Sequence, residues 1–369
     1  MNAKTRCSDC VDATDNSRPH ALSSFPSLQS LCQYTALFGG SSARREAENN
    51  LAKTFVGGVF VVFAAVAAYA QGPMMNPQPI VPSTGMHAIL LGTGCPLINP
   101  ERATGSTLIV VNGKTFMVDT GWNSLVRLTQ AGYQHPGVVL YTHFHSDHYD
   151  GLGQVFINRG IAGADQPLSV ISPKGGKAVI DAVIASLAAD VGYRKAHHGD
   201  KWSDEAVAAD VKEFDEGTVY DADDLKIIMF PVDHHPIEPA VGYRFEYGGK
   251  SIVISGDTVK CDRLIAESKG CDILIHEAMD DRMLKAILPG LTKTDPRRGA
   301  MLTELIDYHT PTLQVAEIAR DAGVKKLVLT HLVPSIAPID AAEKNFIRGM
   351  AEIYPGPIAI GRDLMTFTP

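Results

Sequence analysis

Val138-Val139-Leu140-Tyr141-Thr142 runs straight into His143-Phe144-His145-Ser146-Asp147-His148, three imidazoles and a carboxylate behind one apolar run. A short β-branched run of this kind reads as a strand, so the cluster begins where a strand ends. Residues two apart in extended backbone point the same way. His143 and His145 therefore share a side, while Asp147 and His148 can turn toward a second centre. A single histidine at such a place is ordinarily structural. The combination is different, because imidazole and carboxylate suit zinc, and a zinc site that keeps an open position carries out hydrolysis.

The same arrangement recurs downstream. Lys226–Phe230 leads through Pro231-Val232 to Asp233-His234-His235; Ser251–Ser255 leads to Gly256-Asp257-Thr258; Lys326–Thr330 leads to His331. Four strands thus each end on a metal-ligand type. Further strands are expected at Ala88–Gly92, Thr107–Val111, Thr115–Asp119, Ser169–Ser172, Tyr243–Tyr247 and Ile273–His276. Asn112-Gly113 and Gly248-Gly249 supply hairpin turns. Helical spacing appears at Lys177–Ala189, Thr312–Ala322 and Ala341–Tyr354. About ten strands and at least five helices predict one mixed α/β domain, two sheets with helices outside.

That domain is expected to span 87–369. The first fifty residues, rich in Ser, Asn, Asp and Arg and holding Cys7, Cys10 and Cys32, read as a disordered leader (1–53) that a start codon placed too early would explain. Lys53 then precedes the apolar stretch Thr54–Ala70, which closes on Ala68-Tyr69-Ala70, the small-x-small pattern that signal peptidase accepts. It is short for a membrane span, which takes roughly 20 apolar residues. The expectation is a signal peptide (or an uncleaved anchor) at 54–70, cut near Ala70/Gln71, a linker at 71–86, and a periplasmic or secreted product. With 369 residues, 45% hydrophobic and 20% charged, the composition is that of a globular chain. The net charge of −8 argues against a bulk electrostatic grip on nucleic acid and leaves room for a local basic patch. Cys95, Cys261 and Cys271 are well separated and read as thiols, with a Cys261–Cys271 disulfide the alternative in an exported chain.

His143-x-His145-x-Asp147-His148, followed by His234, Asp257 and His331, resembles the metallo-β-lactamase superfamily of dinuclear hydrolases. The likeness covers essentially all of 87–369. It implies an αββα sandwich of two mixed β-sheets with outer helices and the metals at one edge. It implies His143, His145 and His234 on one ion, Asp147, His148 and His331 on the other, and Asp257 between them. His235 competes with His234, which is preferred. Asp119-Thr120-Gly121 resembles the family's Asp-x-Gly turn. Two Zn2+ are implied, with Mn2+ or Fe as alternatives; histidine at His145, where the flavin-linked di-iron relatives carry glutamate, favours zinc.

Leu91-Gly92-Thr93-Gly94, Val241–Arg244, Ser255–Thr258, Ile275-His276-Glu277-Ala278 and His309-Thr310-Pro311-Thr312 resemble the ribonuclease Z and arylsulfatase-like branch. There Glu277 and His309 act together, the imidazole protonating the leaving oxygen, and His276 faces away. Two ions lower the pKa of a shared water from about 15.7 toward roughly 7, and the resulting hydroxide attacks phosphorus, sulfur or a carbonyl carbon, with Asp147 able to take its proton. The stretch from Tyr193 to Asp224 is Asp/Glu/Ala-rich and lacks the glycine- and proline-rich arm that grips tRNA. The main expectation is therefore a secreted dizinc hydrolase of small phosphate or sulfate esters. The alternatives are β-lactam or lactone hydrolysis, tRNA 3′ processing, and an inactive metal-binding scaffold. A small-molecule ester is the expected partner, with nucleic acid not expected in the cell, a membrane only if the signal is uncleaved, and a homodimer compatible with the branch.

Overall fold

The computed structural model describes residues 78–369. The expected leader, the apolar stretch 54–70 and linker residues 71–77 lie outside the described residues. Fourteen strands form two sheets of seven among the described residues. The first holds β1 (Met86–Gly92), β2 (Ser106–Val111), β3 (Lys114–Val118), β4 (Val138–Leu140), β5 (Leu168–Pro173) and β6 (Ala209–Phe214). The second holds β7 (Gly217–Ala222), β8 (Leu225–Pro231), β9 (Val241–Tyr247), β10 (Lys250–Ile254), β11 (Ile273–Met279), β12 (Leu327–Val333) and β13 (Ile358–Ile360). The last strand, β14 (Thr366–Phe367), returns to the first sheet beside β1.

Period-two alternation explains the layering. Leu90, Ile109, Phe116 and Leu140 point inward and meet Tyr243, Phe245, Ile252 and Ile275 of the second sheet. Their neighbours Ile89, Leu108, Met117 and Val139 point outward and are covered by Leu125, Leu128, Val155 and Phe156 from the helices Ser124–Gln130 and Leu152–Ile161. On the far side Val253, Leu274 and Leu329 are covered by Val315, Ile318 and Ala319 of the helix Thr312–Asp321. Each fully buried side chain of this size contributes about 1.5–3 kcal/mol. The result is the expected αββα sandwich.

Both sheets are mixed in the same way: β1–β3 and β7–β10 pair antiparallel, β3–β6 and β10–β13 parallel. In consequence β3, β4, β8, β10, β11 and β12 all run the same way within their sheets, and their carboxyl ends carry Asp119, His143, His234, Asp257, Glu277 and His331. Carboxyl ends of strands are where open α/β sheets place their ligands.

Two helices differ from the sequence expectation. The helix expected at Lys177–Ala189 is Gly176–Ser186, and the chain turns at Leu187 into a second helix, Ala188–His198. His197 and His198 close that second helix, exposed and with rings stacked 5.3 Å apart. The helix expected at Ala341–Tyr354 is two short ones, Asp340–Phe346 and Met350–Ile353, split before Gly349, which takes φ 90°. A position in the left-handed region ends a helix and suits glycine. Cys95, Cys261 and Cys271 are free thiols.

Candidate metal centre

The histidine and aspartate side chains of the strand ends converge on one buried cluster. His143, His145, His234 and Asp257 form one group and Asp147, His148 and His331 another, the candidate ligand atoms of each lying within 4.8 Å of one another. His143 Nε2 is 3.1 Å from His145 Nδ1, and His234 Nε2 is 3.5 Å from the same atom. Asp257 Oδ2 stands between the groups: it is 3.8 Å from His143 Nε2 and 3.9 Å from His234 Nε2 on one side. On the other it is 3.4 Å from His148 Nε2 and 3.3 Å from His331 Nε2. Asp147 Oδ2 lies 3.2 Å from His331 Nε2 and 3.6 Å from His148 Nε2. A tetrahedral ion with ligands at about 2.0–2.1 Å keeps its ligand atoms about 3.3–3.4 Å apart, so the spacing fits a metal. His148 Nε2 is buried without a hydrogen-bond partner, a state that costs free energy unless something binds there.

Charge is arranged to match. Burial, reinforced by neighbouring histidines, holds His143, His145 and His234 below the usual imidazole range, so all three are neutral and offer lone pairs. Burial also opposes a charge on His148 and His331, yet the carboxylates of Asp257 and Asp147 outweigh it; His148 is raised well above its usual range and His331 is pushed up to about 9. Burial raises Asp257 too, but His331 and His148 more than reverse this and hold it well below the usual carboxylate range.

Local backbone devices aim these groups. Asp119, at φ 60°, accepts from Thr142 N and Thr142 Oγ1 at 2.8 Å each and lies 2.8 Å from His148 Nδ1. A carboxylate behind a ligating imidazole fixes its ring and tautomer, and the Asp119-Thr120-Gly121 turn places one behind His148. His234 Nδ1 is likewise held 2.9 Å from the Tyr308 carbonyl. His331 is the extra residue where the β11–β12 register slips, at φ 44°; the bulge turns its ring to the cluster. Gly256, at φ +64°, has no room for a side chain: a Cβ there would sit 2.6 Å from the Val241 carbonyl oxygen. Asp257 can therefore follow β10 immediately.

His234 is buried, while its rival His235 is exposed and pairs with Glu238 at 3.5 Å. Glu277 and His309, both buried, are joined at 3.0 Å through His309 Nδ1, and Thr258 N and Thr310 N donate to the same Glu277 oxygen at 3.1 and 3.2 Å. His309 also falls within reach of Asp257 and His331, its ring stacked 5.5 Å from that of His331. His276 faces the other side of β11, buried, with Nδ1 2.6 Å from the Glu277 carbonyl. Sequence reasoning missed the Tyr308 carbonyl and the Thr142, Thr258 and Thr310 groups. Four of these five contacts are backbone atoms, which no residue type announces.

A family model described as Beta-lactamase superfamily domain matches residues 114–332. With the fold and the ligand-bearing strand ends, this places the chain in the metallo-β-lactamase superfamily: it is a metal-dependent hydrolase of ester bonds. Among its relatives, ribonuclease Z of Mycobacterium bovis (strain BCG / Pasteur 1173P2) is 36% identical over 280 residues, covering 74% of this chain and 95% of the relative. Ribonuclease Z of Mycobacterium marinum is 37% identical over 281 residues, with the same coverage. Human tRNase Z, short form, superposes with a TM-score of 0.55 at 18% identity, over 76% of this chain and 98% of the other. A metallo-beta-lactamase fold protein from Bacillus subtilis gives 0.55 and 18% over 76% and 99%.

Proposed function

We propose that this chain is a dinuclear phosphodiesterase of the ribonuclease Z kind, with zinc as its metal and an RNA phosphodiester as its substrate. The observation that carries the reading is the buried Glu277–His309 pair set beside both ligand groups. A metal-binding scaffold has no use for an oriented imidazole there; a hydrolase does. Similarity to ribonuclease Z over nearly the whole of that enzyme supports RNA over the small esters that charge and the apolar stretch at 54–70 favoured. The identity of the metal rests on the chemistry of the donors, five imidazoles and two carboxylates.

His143, His145 and His234 would hold one ion and Asp147, His148 and His331 the other, with Asp257 shared. Metal ions bound there would activate water and neutralise charge on the phosphoryl oxygens. The chain's own contribution to bond breaking is His309. Glu277 accepts from Nδ1–H and orients the ring, and with Nε2 also protonated the imidazolium would deliver its Nε2 proton to the departing oxygen, a step typically contributing about 10²–10⁴-fold.

A second reading, an exported hydrolase of small phosphate or sulfate esters, is favoured by the Thr54–Ala70 stretch and by the lack of a glycine- and proline-rich arm in 193–224. Those residues are taken up by the end of the helix Ala188–His198 and by edge strands β6 and β7. Initial rates of the full chain on four substrates decide: a tRNA precursor with a 3′ trailer, a nitrophenyl phosphodiester, a nitrophenyl sulfate and a chromogenic cephalosporin. The highest kcat/KM on the precursor, with cleavage at the trailer, is the expected result. Preference for the sulfate would replace this reading with the second, and preference for the cephalosporin would move it to carbonyl chemistry.

A further inference from the structure

Between Glu277 and His309 the chain leaves the sandwich as a helical hairpin, Asp281–Thr294 and Pro296–Leu305. Asp280 caps the first helix, accepting from Arg282 N and Met283 N; Asp295 caps the second, accepting from Arg298 N. At its base Leu284, with Leu302 and Leu305, packs on Cys95, Met279 and Val333. Beyond that base the two helices rest on each other: Gly299 lies so close to Thr292 that a Cβ would approach its Oγ1 to 2.5 Å. In the whole hairpin only Leu284 and Gly299 are buried. A helix of this length reaches about 20 Å at 1.5 Å per residue, and the hairpin is rooted between Glu277 and His309, beside the candidate metal centre.

Its charge is unlike that of the rest of the chain. At the base Lys285 pairs with Asp281 at 2.7 Å and Arg282 with Asp280 at 2.9 Å. At the tip Lys293, Arg297 and Arg298 are all exposed, and among the described residues none has a carboxylate within 4.0 Å. From Ala286 to Thr303 these three cations face one acid, Asp295, in a chain whose net charge is −8. Unpaired like charges within a six-residue span repel each other and have no structural use in the hairpin; opposite a polyanion they acquire one. The hairpin's roots fix which polyanion. Its first helix starts four residues after Glu277, and its second ends four residues before His309.

We propose that this hairpin is the arm that holds the RNA, with Lys293, Arg297 and Arg298 on its phosphates outside the scissile bond. The proposal rests on the ribonuclease Z reading above. It also supplies from 281–305 the basic projection that 193–224 does not contain.

The test compares the full chain with its K293A/R297A/R298A variant. Binding of a fluorescein-labelled tRNA precursor is followed by anisotropy under chelation across a salt series; turnover of precursor and of a nitrophenyl phosphodiester is followed with zinc. Each single-strand phosphate contact contributes a salt slope of about 0.7, so losing three flattens log Kobs against log[salt] by about 2. RNA affinity falls tenfold or more, the small-diester rate stays within about twofold, and K293R/R297K/R298K restores binding. An unchanged slope and affinity, with RNA still cleaved, overturns the arm and leaves the ribonuclease reading standing. Failure of the unaltered chain to bind or cleave RNA while it hydrolyses the small diester overturns both. A parallel loss on the small diester assigns the cations to site geometry instead. Loss of binding to phosphatidylserine vesicles with an unchanged RNA slope assigns them to a membrane.

Discussion

His309 carries the most specific chemistry that a single residue holds here, because Glu277 occupies one ring nitrogen and the cluster faces the ring. A proton donor matters in proportion to the basicity of the leaving group. His309→Ala is expected to slow an alkyl phosphodiester about 10²–10⁴-fold and a nitrophenyl one much less, since nitrophenolate leaves without a proton. Equal losses on both, in side-by-side kcat/KM measurements, would refute the role. Asp119 acts one step further back. Its carboxylate is held by Thr142 and in turn holds His148, and removing such a partner typically costs about 10–100-fold in metal affinity. Asp119→Asn keeps the shape and loses the charge, so a zinc titration against a competing chelator should show a drop of that size. An affinity within twofold of the unaltered chain would reduce Asp119 to a turn residue.

At the scale of elements, what was legible in the sequence is what is buried on both sides. β1, β2, β8, β10, β11 and β12 announce themselves as apolar runs because both faces of each sheet are covered. β6 and β7 went unread because they are edges: Ala209–Phe214 and Gly217–Ala222 are half-exposed, acidic, and carry almost no apolar pattern. The hairpin 281–305 went unread for another reason: Met283, Leu284, Ile287 and Leu291 recur at helical spacing, but Pro289-Gly290 interrupts the run as a turn signal would. The candidate ligands were legible because each directly follows a readable strand. The turn Ser255-Gly256-Asp257 shows how much rests on one such junction. Gly256→Ala would force a side chain into left-handed backbone and against the Val241 carbonyl, a strain of about 1–3 kcal/mol. The expected result is a melting temperature lower by several degrees and a zinc content below that of the unaltered chain by metal analysis. A variant with both unchanged would mean that the turn relaxes freely.

The whole molecule concentrates opposite charges where two sheets meet, and that makes its metal affinity and its stability respond to pH in opposite directions. Burial works against charge on His331, but Asp257 and Asp147 prevail and raise it to about 9, above the usual 6.5. A histidine raised on folding contributes stability that is complete below about pH 6.5 and is lost as pH rises through about 9. His148 shifts in the same direction. Asp257, lowered well below 3.8, contributes above that value and fails only as pH falls through its depressed pKa. The metal-free protein should therefore lose melting temperature between pH 6.5 and 9. Metal ligation needs neutral imidazoles, so binding must expel the protons that His148 and His331 hold. Calorimetric zinc titration at pH 7, in two buffers of different ionisation enthalpy, should count about two protons released per saturated site, with affinity rising toward pH 9. Saturating metal reverses the trend, adding about 2.7 kcal/mol at a hundredfold excess over Kd. Zinc uptake without proton release, or affinity that falls as pH rises, would mean that the two imidazoles are neutral in the folded chain and that the carboxylates between them are not what holds the metal-free cluster together.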